Sequence, residues 1–240
     1  MKRLSVKIIS NHIIMLKFYY HPQSPLSRRV WIALLEKEIT FIPEIISLKD
    51  GEQFKPDFLA LNPFHHVPVV VDDGLRVLES LAILDYLESK YSNKPLLPTD
   101  SSKLARVRMV QMVANNELSS LVIPLISETE DSPQLSKAKR KIKRILKFLA
   151  ELLKDDDYFG GDKISLGDIV AGNSIFLVGK LGFDLSKVEK IEQWCDRLMQ
   201  REAWQQTQPN DEQIAIFKQR VQKLIESQGK AQIVRKVKQS

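Results

Sequence analysis

Ser24 stands where a strand gives way to a helix, and that junction is the first place along the chain that can do chemistry. Leu16–Tyr20 is rich in aromatic and apolar residues, as short strands are. His21-Pro22-Gln23-Ser24-Pro25 breaks it, and a helix is expected from Ser27, with Val30, Ala33 and Leu34 at helical spacing. The strand therefore delivers the backbone to the positive end of a helix, where free N–H groups and aligned peptide dipoles favour an anion. A serine hydroxyl at that doorway can donate to the negative group of a ligand. Ser27 is expected to be the N-cap, its hydroxyl accepting a backbone N–H two or three residues on.

The elements that follow must hold this junction in place. Ile39–Ser47 reads as a second strand, Asp50-Gly51-Glu52-Gln53 as a loop, and Pro56–Leu61 as a short helix closed by Asn62-Pro63. Val67–Val71 reads as a third strand, Asp72-Asp73-Gly74 as a tight turn and Leu75–Leu78 as a fourth strand. Glu79-Ser80 opens a helix with Leu81, Leu84 and Leu87 on one face. The order β-α-β-α-β-β-α mixes parallel and antiparallel pairing. Pro68 sits at a strand start, where a proline is tolerated. A cis Val67-Pro68 bond costs only about 0.5–1 kcal/mol before tertiary contacts. It would leave the Val67 N–H and C=O free to pair with a peptide-like ligand as an added strand; a plain trans proline is the alternative.

The second half is helical in pattern. Residues 93–100 are polar and proline-punctuated, an expected inter-domain linker. One long helical segment is expected over Ser101–Ser127, with Asn115-Asn116-Glu117 interrupting its apolar face and Pro124 as a kink or end. Gln134–Asp155 carries a continuous apolar stripe through Leu135, Ala138, Ile142, Ile145, Leu149 and Leu152. The basic run Lys137–Lys147 on that helix reads as its solvated face. A helix over Ile169–Leu181, rich in small residues, suits tight burial, and Leu198–Trp204 reads as the end of the last core helix. Residues 211–240 form a basic C-terminal extension in which Ile214, Phe217, Val221 and Leu224 fall in helical register, able to cover a cleft or to stay mobile.

Composition narrows the partners. The 240-residue chain has a net charge of +6, but residues 1–15 carry +3 and residues 211–240 carry +4, leaving −1 for the body. A body without excess positive charge has no reason to bind nucleic acid. No apolar run approaches the roughly 18 residues that span a bilayer. A single cysteine, Cys195, excludes an internal disulfide framework and argues for a reducing, cytoplasmic setting. Residues 1–15 are too interrupted by Lys7, Ser10, Asn11 and His12 for a secretory core. They read as an N-terminal extension, with Met1 or Met15 as the start.

Three motifs stand in order: His21-Pro22-x-Ser24-x-x-x-Arg28-Arg29-Val30, Leu61-Asn62-Pro63-Phe64-x-x-Val67-Pro68, and Glu79-Ser80-x-Ala82-Ile83. Over about residues 16–210 the chain resembles the glutathione transferase family, most of all its serine-type theta and phi classes and their bacterial and cyanobacterial relatives. The resemblance implies an α/β thioredoxin-like N-terminal domain (16–92) that holds glutathione, then a linker (93–100) and an all-α domain (101–210) that supplies the electrophile pocket. It implies a homodimer, glutathione as co-substrate and no metal. Ser24 matches the catalytic serine, and Val67 the residue before a cis-proline, Pro68, that pairs with the cysteinyl backbone. Glu79 and Ser80 match the pair that holds the γ-glutamyl end, and Gln53 and His66 match polar positions at the glycine end. Met112 and Asn116 lie on the helix that borders the electrophile pocket in this family. Ser165 and Asp168 match its N-capping box, a folding element.

The chain also departs from the pattern. A lysine or glutamine is usual at His66 and a glycine at His65, and Phe54 occupies a position where phi-type relatives have a lysine. His66 can still donate, more strongly if protonated; otherwise His65-His66 are ordinary loop residues, and two adjacent histidines alone lack the spacing of a metal site. Tyr19 and Tyr20 are the competing hydroxyls, since tyrosine-type relatives use a strand tyrosine. Cys195, in a helical stretch beside Trp194, reads as packing.

The expected chemistry is conjugation of the glutathione thiolate to small hydrophobic electrophiles in detoxification. Lowering a thiol pKa by about two requires roughly 2.7 kcal/mol of preference for the anion. One hydrogen bond to a charged group supplies about 1.5–3 kcal/mol and a helix N-terminus about 0.3–1. Peroxide reduction, isomerisation or dehalogenation on the same scaffold, or a non-catalytic adaptor or ligand carrier, are the rival readings, since fold alone does not select among them.

Overall fold

The structure is a computed structural model that describes residues 15–237, with side-chain environments through residue 227. Residues 1–14 of the expected 1–15 extension and the last three residues of the basic tail lie outside it. The first half runs β1 (Leu16–Tyr20), α1 (Pro25–Glu36), β2 (Phe41–Ile45), α2 (Pro56–Leu61), β3 (Val69–Asp72), β4 (Leu75–Leu78) and α3 (Ser80–Lys90). The sheet order is β2-β1-β3-β4, with β1 parallel to β2 and antiparallel to β3, and β3 antiparallel to β4. Alternation along β1 buries Leu16, Phe18 and Tyr20 against Val30 and Leu34 of α1 and Ile83 and Leu87 of α3. The opposite face packs Val69 on Phe58 of α2. This is a thioredoxin-like layer followed by an all-helical half.

Two strands are shorter than the sequence pattern predicts. Pairing of β2 stops at Ile45, opposite Tyr20, where β1 ends. Pairing of β3 begins at Val69, because Pro68 has no N–H for the ladder.

The second half comprises α4 (Ser101–Val113), α5 (Val122–Ser127), α6 (Pro133–Leu153), α7 (Leu166–Lys180), α8 (Glu189–Met199), α9 (Glu202–Thr207) and α10 (Asp211–Val237). The helix expected over Ser101–Ser127 is divided. A π-helical turn covers Ala114–Leu118 and a 3₁₀ turn covers Ser119–Leu121. Pro124 is not the break: it sits in the first turn of α5, where its missing N–H costs no bond. The break falls on the polar triplet, and it brings the Asn115 amide oxygen to within 2.8 Å of Arg29 Nη1. The helix expected to end over Leu198–Trp204 is also interrupted. Arg201 leaves the helical conformation between α8 and α9 and pairs with Glu36 of α1 through two contacts, 2.8 and 2.6 Å, while Trp204 is fully buried.

Helix α7 is the axis of this half, buried through most of its length. Its small residues are required by contact: a Cβ on Gly172 would stand 2.5 Å from Trp204 and 2.7 Å from Leu198. The helix starts at the expected capping box. The fully buried Asp168 carboxylate accepts from the Ser165 N–H (2.8 Å) and hydroxyl (2.6 Å), the Phe159 N–H (3.0 Å) and Trp194 Nε1 (2.9 Å). Burial pushes its pKa up while these four donors pull it back.

The two halves share one core. Ile32, Ala33 and Leu84 belong to the same buried cluster as the residues of α4 and α6–α9. The polar stretch 93–100 is pinned between them. Leu96 is buried, its N–H and that of Leu97 donate to Glu88 Oε1 (2.9 and 3.1 Å), and its carbonyl accepts from Leu166 (2.9 Å).

Candidate functional site

The junction at Ser24 is built as a cap. Ser24, not Ser27, is the N-cap of α1: its backbone is extended, Pro25 fills the first helical position, and its Oγ accepts the Ser27 N–H at 3.3 Å. Ser27 is buried, and its own hydroxyl instead accepts the His21 N–H at 3.4 Å, bracing the turn from behind. Because a hydroxyl has one donor besides its acceptor lone pairs, the cap leaves the Ser24 O–H proton free to point at a ligand. Tyr20, the competing hydroxyl, is buried and stacked 4.6 Å from Phe18, and burial pushes its pKa up. Cys195 is likewise buried, and burial pushes its thiol up, away from thiolate chemistry.

Two guanidinium groups lie beneath the cap. Arg28 donates to Thr207 Oγ1 (3.2 Å), Asn173 Oδ1 (3.4 Å) and Gln208 Oε1 (2.6 Å) and lies over the rings of Trp204 and Phe176. Arg29 donates to Asn115 Oδ1 (2.8 Å) and Ser174 Oγ (3.2 Å). All these partners are neutral, and neither arginine forms an ion pair among the described residues. Burial lowers both pKa values to about 10, so both stay charged at neutral pH. Two uncompensated positive charges in the first turns of α1 add to the helix dipole at Ser24. The sequence contained Arg28 and Arg29 within its first motif, but adjacent bases on an amphipathic helix do not by themselves disclose that both are buried.

The remaining expected residues fall in three groups, and none of them lines the cavity that adjoins Ser24. The Val67-Pro68 bond is cis, and both residues are buried. Asn62 fixes the loop before them: its Nδ2 donates to the His66 carbonyl (2.7 Å) and its Oδ1 accepts from Phe64 (2.9 Å). Asn62 is buried, a role the sequence analysis did not give it. Gln53 lies in a 3₁₀ turn over Glu52–Phe54, and its Oε1 is buried without a hydrogen-bond partner. His66 is exposed. His65 has φ +61 and stacks on Phe54 with centroids 5.0 Å apart, so the two departures from the family pattern form one aromatic shelf. Neither histidine belongs to a group of three or more potential metal ligands among the described residues.

Glu79 caps α3 with φ +65 and ψ 119, a region that residues with a Cβ avoid, and its carboxylate makes no cap bond. Such a conformation costs about 1–3 kcal/mol and persists where the surroundings or a ligand require it. Ser80, the next residue, is buried at the start of α3. Replacing Glu79 by glycine is expected to leave the melting temperature unchanged or raised, while weakening glutathione binding about tenfold through loss of a charged contact. Calorimetric melts and glutathione titrations of the same variant check this; a destabilised protein with unchanged affinity refutes it.

A small cavity of about 20 Å³ adjoins Ser24, between Pro25, Arg28, Asn173, Phe176, Ile214 and Phe217. Met112 and Asn116 are exposed and outside this cavity. Its apolar wall comes instead from α7 and from α10, whose Ile214 is buried there; Leu224, expected in the same register, is exposed. The C-terminal helix therefore does cover the cleft beside Ser24. A larger cleft of about 950 Å³ opens at the other end of α1, walled by Glu36, Lys94, Tyr158 and Arg201, and holds none of the expected site residues. No described helix is long and apolar enough to cross a membrane.

Comparison with known proteins agrees with this geometry. The sequence pattern of the glutathione S-transferase N-terminal domain matches residues 23–90 and that of the C-terminal domain matches residues 113–202. The chain is 29% identical over 222 residues to glutathione S-transferase D7 of Drosophila melanogaster, covering 90% of this chain and 99% of the relative. It is 33% identical over 189 residues to glutathione S-transferase 1 of Dianthus caryophyllus, covering 75% and 86%. The solved structure of a delta-class glutathione transferase from Nilaparvata lugens superposes with a TM-score of 0.74 at 27% identity, covering 86% of this chain and 98% of that one. With both family patterns in order and relatives aligned over most of its length, the chain belongs to the glutathione S-transferase family.

Proposed function

We propose that this transferase is a serine-type member that joins the thiolate of glutathione to small hydrophobic electrophiles, as a cytoplasmic homodimer, with Ser24 as the hydroxyl that holds the sulfur. The observation that carries the reading is the spare Ser24 proton at the tip of α1, above two buried arginines that have no carboxylate partner among the described residues. An anion placed there gains a charged hydrogen bond and the helix end, together enough to lower a thiol pKa from about 8.5 to about 6.5. No base is needed, because the proton leaves to water at neutral pH.

The rest of the tripeptide follows the chain. The Val67 backbone pairs with the cysteinyl residue, Glu79 and Ser80 at the start of α3 take the γ-glutamyl end, and Gln53 and His66 face the glycine end, where the buried Gln53 oxygen awaits a donor. Phe176, Ile214 and Phe217 supply the apolar wall for the electrophile, and α10 gives way to admit it.

Titrating the ultraviolet absorbance of thiolate in the binary complex tests the proposal. Bound glutathione is expected to ionise about two pH units below the free thiol, and a panel of neutral electrophiles is expected to react only when glutathione is present. An unshifted thiol, or no conjugation across the panel, overturns it; light scattering checks the dimer.

A further inference from the structure

Arg220, on α10 within electrostatic reach of His21, is a basic group that the functions above leave unused. It follows Phe217 by one helical turn on α10, so it shares the face that closes over the cavity. It is half-buried, its Nη1 is shielded from solvent and makes no hydrogen bond, and it forms no ion pair among the described residues. Its charge is felt at His21, three residues before Ser24, whose pKa is lowered first by burial and then by Arg220. His21 Nδ1 accepts the Gln23 N–H at 3.2 Å, which fits a neutral imidazole with its proton on Nε2 and so adds no positive charge beside the guanidinium. The neighbouring bases are committed: Arg28 to Thr207, Asn173 and Gln208, and Lys180 to Asp211 at 3.0 Å. No aspartate or glutamate lines the cavity.

A shielded guanidinium N–H with no acceptor is costly unless something supplies one. The cavity one helical turn away, which Arg220 itself does not line, has an apolar wall of Phe176, Leu177, Ile214 and Phe217. We propose that Arg220 is a specificity-determining residue that pairs with a carboxylate or sulfonate on the electrophile, so that the preferred substrates are amphipathic organic acids with an apolar body. The inference rests on the proposed conjugation reaction and names its substrate class. A permanent anion fits better than a neutral electrophile, because only the former satisfies the guanidinium in the bound ground state.

The test compares two aryl chlorides of the same shape, 1-chloro-2,4-dinitrobenzene and 4-chloro-3-nitrobenzoate, in which a carboxylate replaces the para nitro group. In both, the glutathione sulfur bonds to the ring carbon that bears chlorine, the C–Cl bond breaks, chloride leaves with the bonding pair, and the thiol proton goes to water. Each kcat/KM is divided by the uncatalysed rate constant to remove the difference in intrinsic reactivity. The corrected preference for the benzoate over the dinitrobenzene is expected to fall about tenfold in Arg220→Gln and to be largely restored in Arg220→Lys. The carboxylated conjugate, S-(4-carboxy-2-nitrophenyl)glutathione, is expected to lose affinity about tenfold in Arg220→Gln relative to S-(2,4-dinitrophenyl)glutathione. Three outcomes overturn the inference: an unchanged preference, an equal loss with both chlorides, or a loss confined to glutathione binding, which would assign Arg220 to the tripeptide's own carboxylate. Failure of the wild type to bind glutathione overturns the proposed reaction instead, and the two are separated by the glutathione titration alone.

Discussion

Ser24→Ala is expected to lower kcat/KM for a neutral electrophile about 100-fold while glutathione is still retained on an affinity column. The size follows from the single bond lost. A hydrogen bond to a charged group is worth about 1.5–3 kcal/mol, and each 1.36 kcal/mol is a factor of ten. The retention follows from the separation of tasks in the proposed reading, which assigns the tripeptide's backbone and γ-glutamyl end to Val67, Glu79 and Ser80 and only its sulfur to Ser24. The variant also removes the N-cap of α1, which costs about 1 kcal/mol of stability. Thermal melts must therefore accompany the kinetics, and the rate loss should exceed what any unfolded fraction explains. The pH profile gives the sharper sign. Without the hydroxyl the bound thiol keeps only the helix end and the two arginines, so the rising limb of kcat/KM should move to higher pH. Equal rates in mutant and wild type would exclude Ser24 as the group that holds the sulfur.

The largest expected loss of stability is that of Asp168→Ala. Among the described residues its carboxylate is the acceptor for the Phe159 N–H, the Ser165 N–H and Trp194 Nε1, and it also takes the Ser165 hydroxyl, all buried. Removing it orphans these donors at once, in a helix that contacts α1, α4 and α8. Breaking a buried charged network costs about 3–5 kcal/mol, and in a protein of this size each kcal/mol lowers the melting temperature by about 2–4 °C. A fall of about 10 °C is therefore expected, with Asp168→Asn intermediate because one oxygen acceptor remains. Activity per folded molecule at low temperature should persist, since Asp168 touches none of the site. A fall of only a degree or two would show that the capping box is dispensable.

The architecture was legible wherever local chemistry sufficed. The aromatic-rich run Leu16–Tyr20, the Asp73-Gly74 turn and the stripe through Leu135–Leu149 each determine their element, and each appears where expected. The approximate failures lie where tertiary contact overrides the local pattern. Ser27 is as good a cap by type as Ser24, but Pro25 begins the helix two residues earlier and the Ser27 hydroxyl serves His21 instead. Asn115-Asn116-Glu117 looked like a polar face on one long helix; the demand of Arg29 for an acceptor inside the core accompanies a π-helical turn there. At the site, the strand-to-helix junction at Ser24 and the cis Val67-Pro68 bond were readable because they depend on backbone geometry close in sequence. The cavity wall was not. Phe176, Ile214 and Phe217 reach Ser24 from about 150 to 190 residues away, and nothing in helical periodicity tells which apolar face meets which cleft.

Because Ile32, Ala33 and Leu84 are packed among residues of the helical half, and Glu88 ties down the stretch between, neither half presents a finished surface alone. Prying them apart would expose greasy side chains on both, so melting should proceed as one event and a wedge-like opening between halves is not available for letting substrate in. Entry must then be governed by whatever can lift without disturbing that joint interior. Among the described elements the C-terminal helix fits best: it lies over the Ser24 cavity and packs on α5, yet Ile214 is its one buried residue among those whose side chains are described.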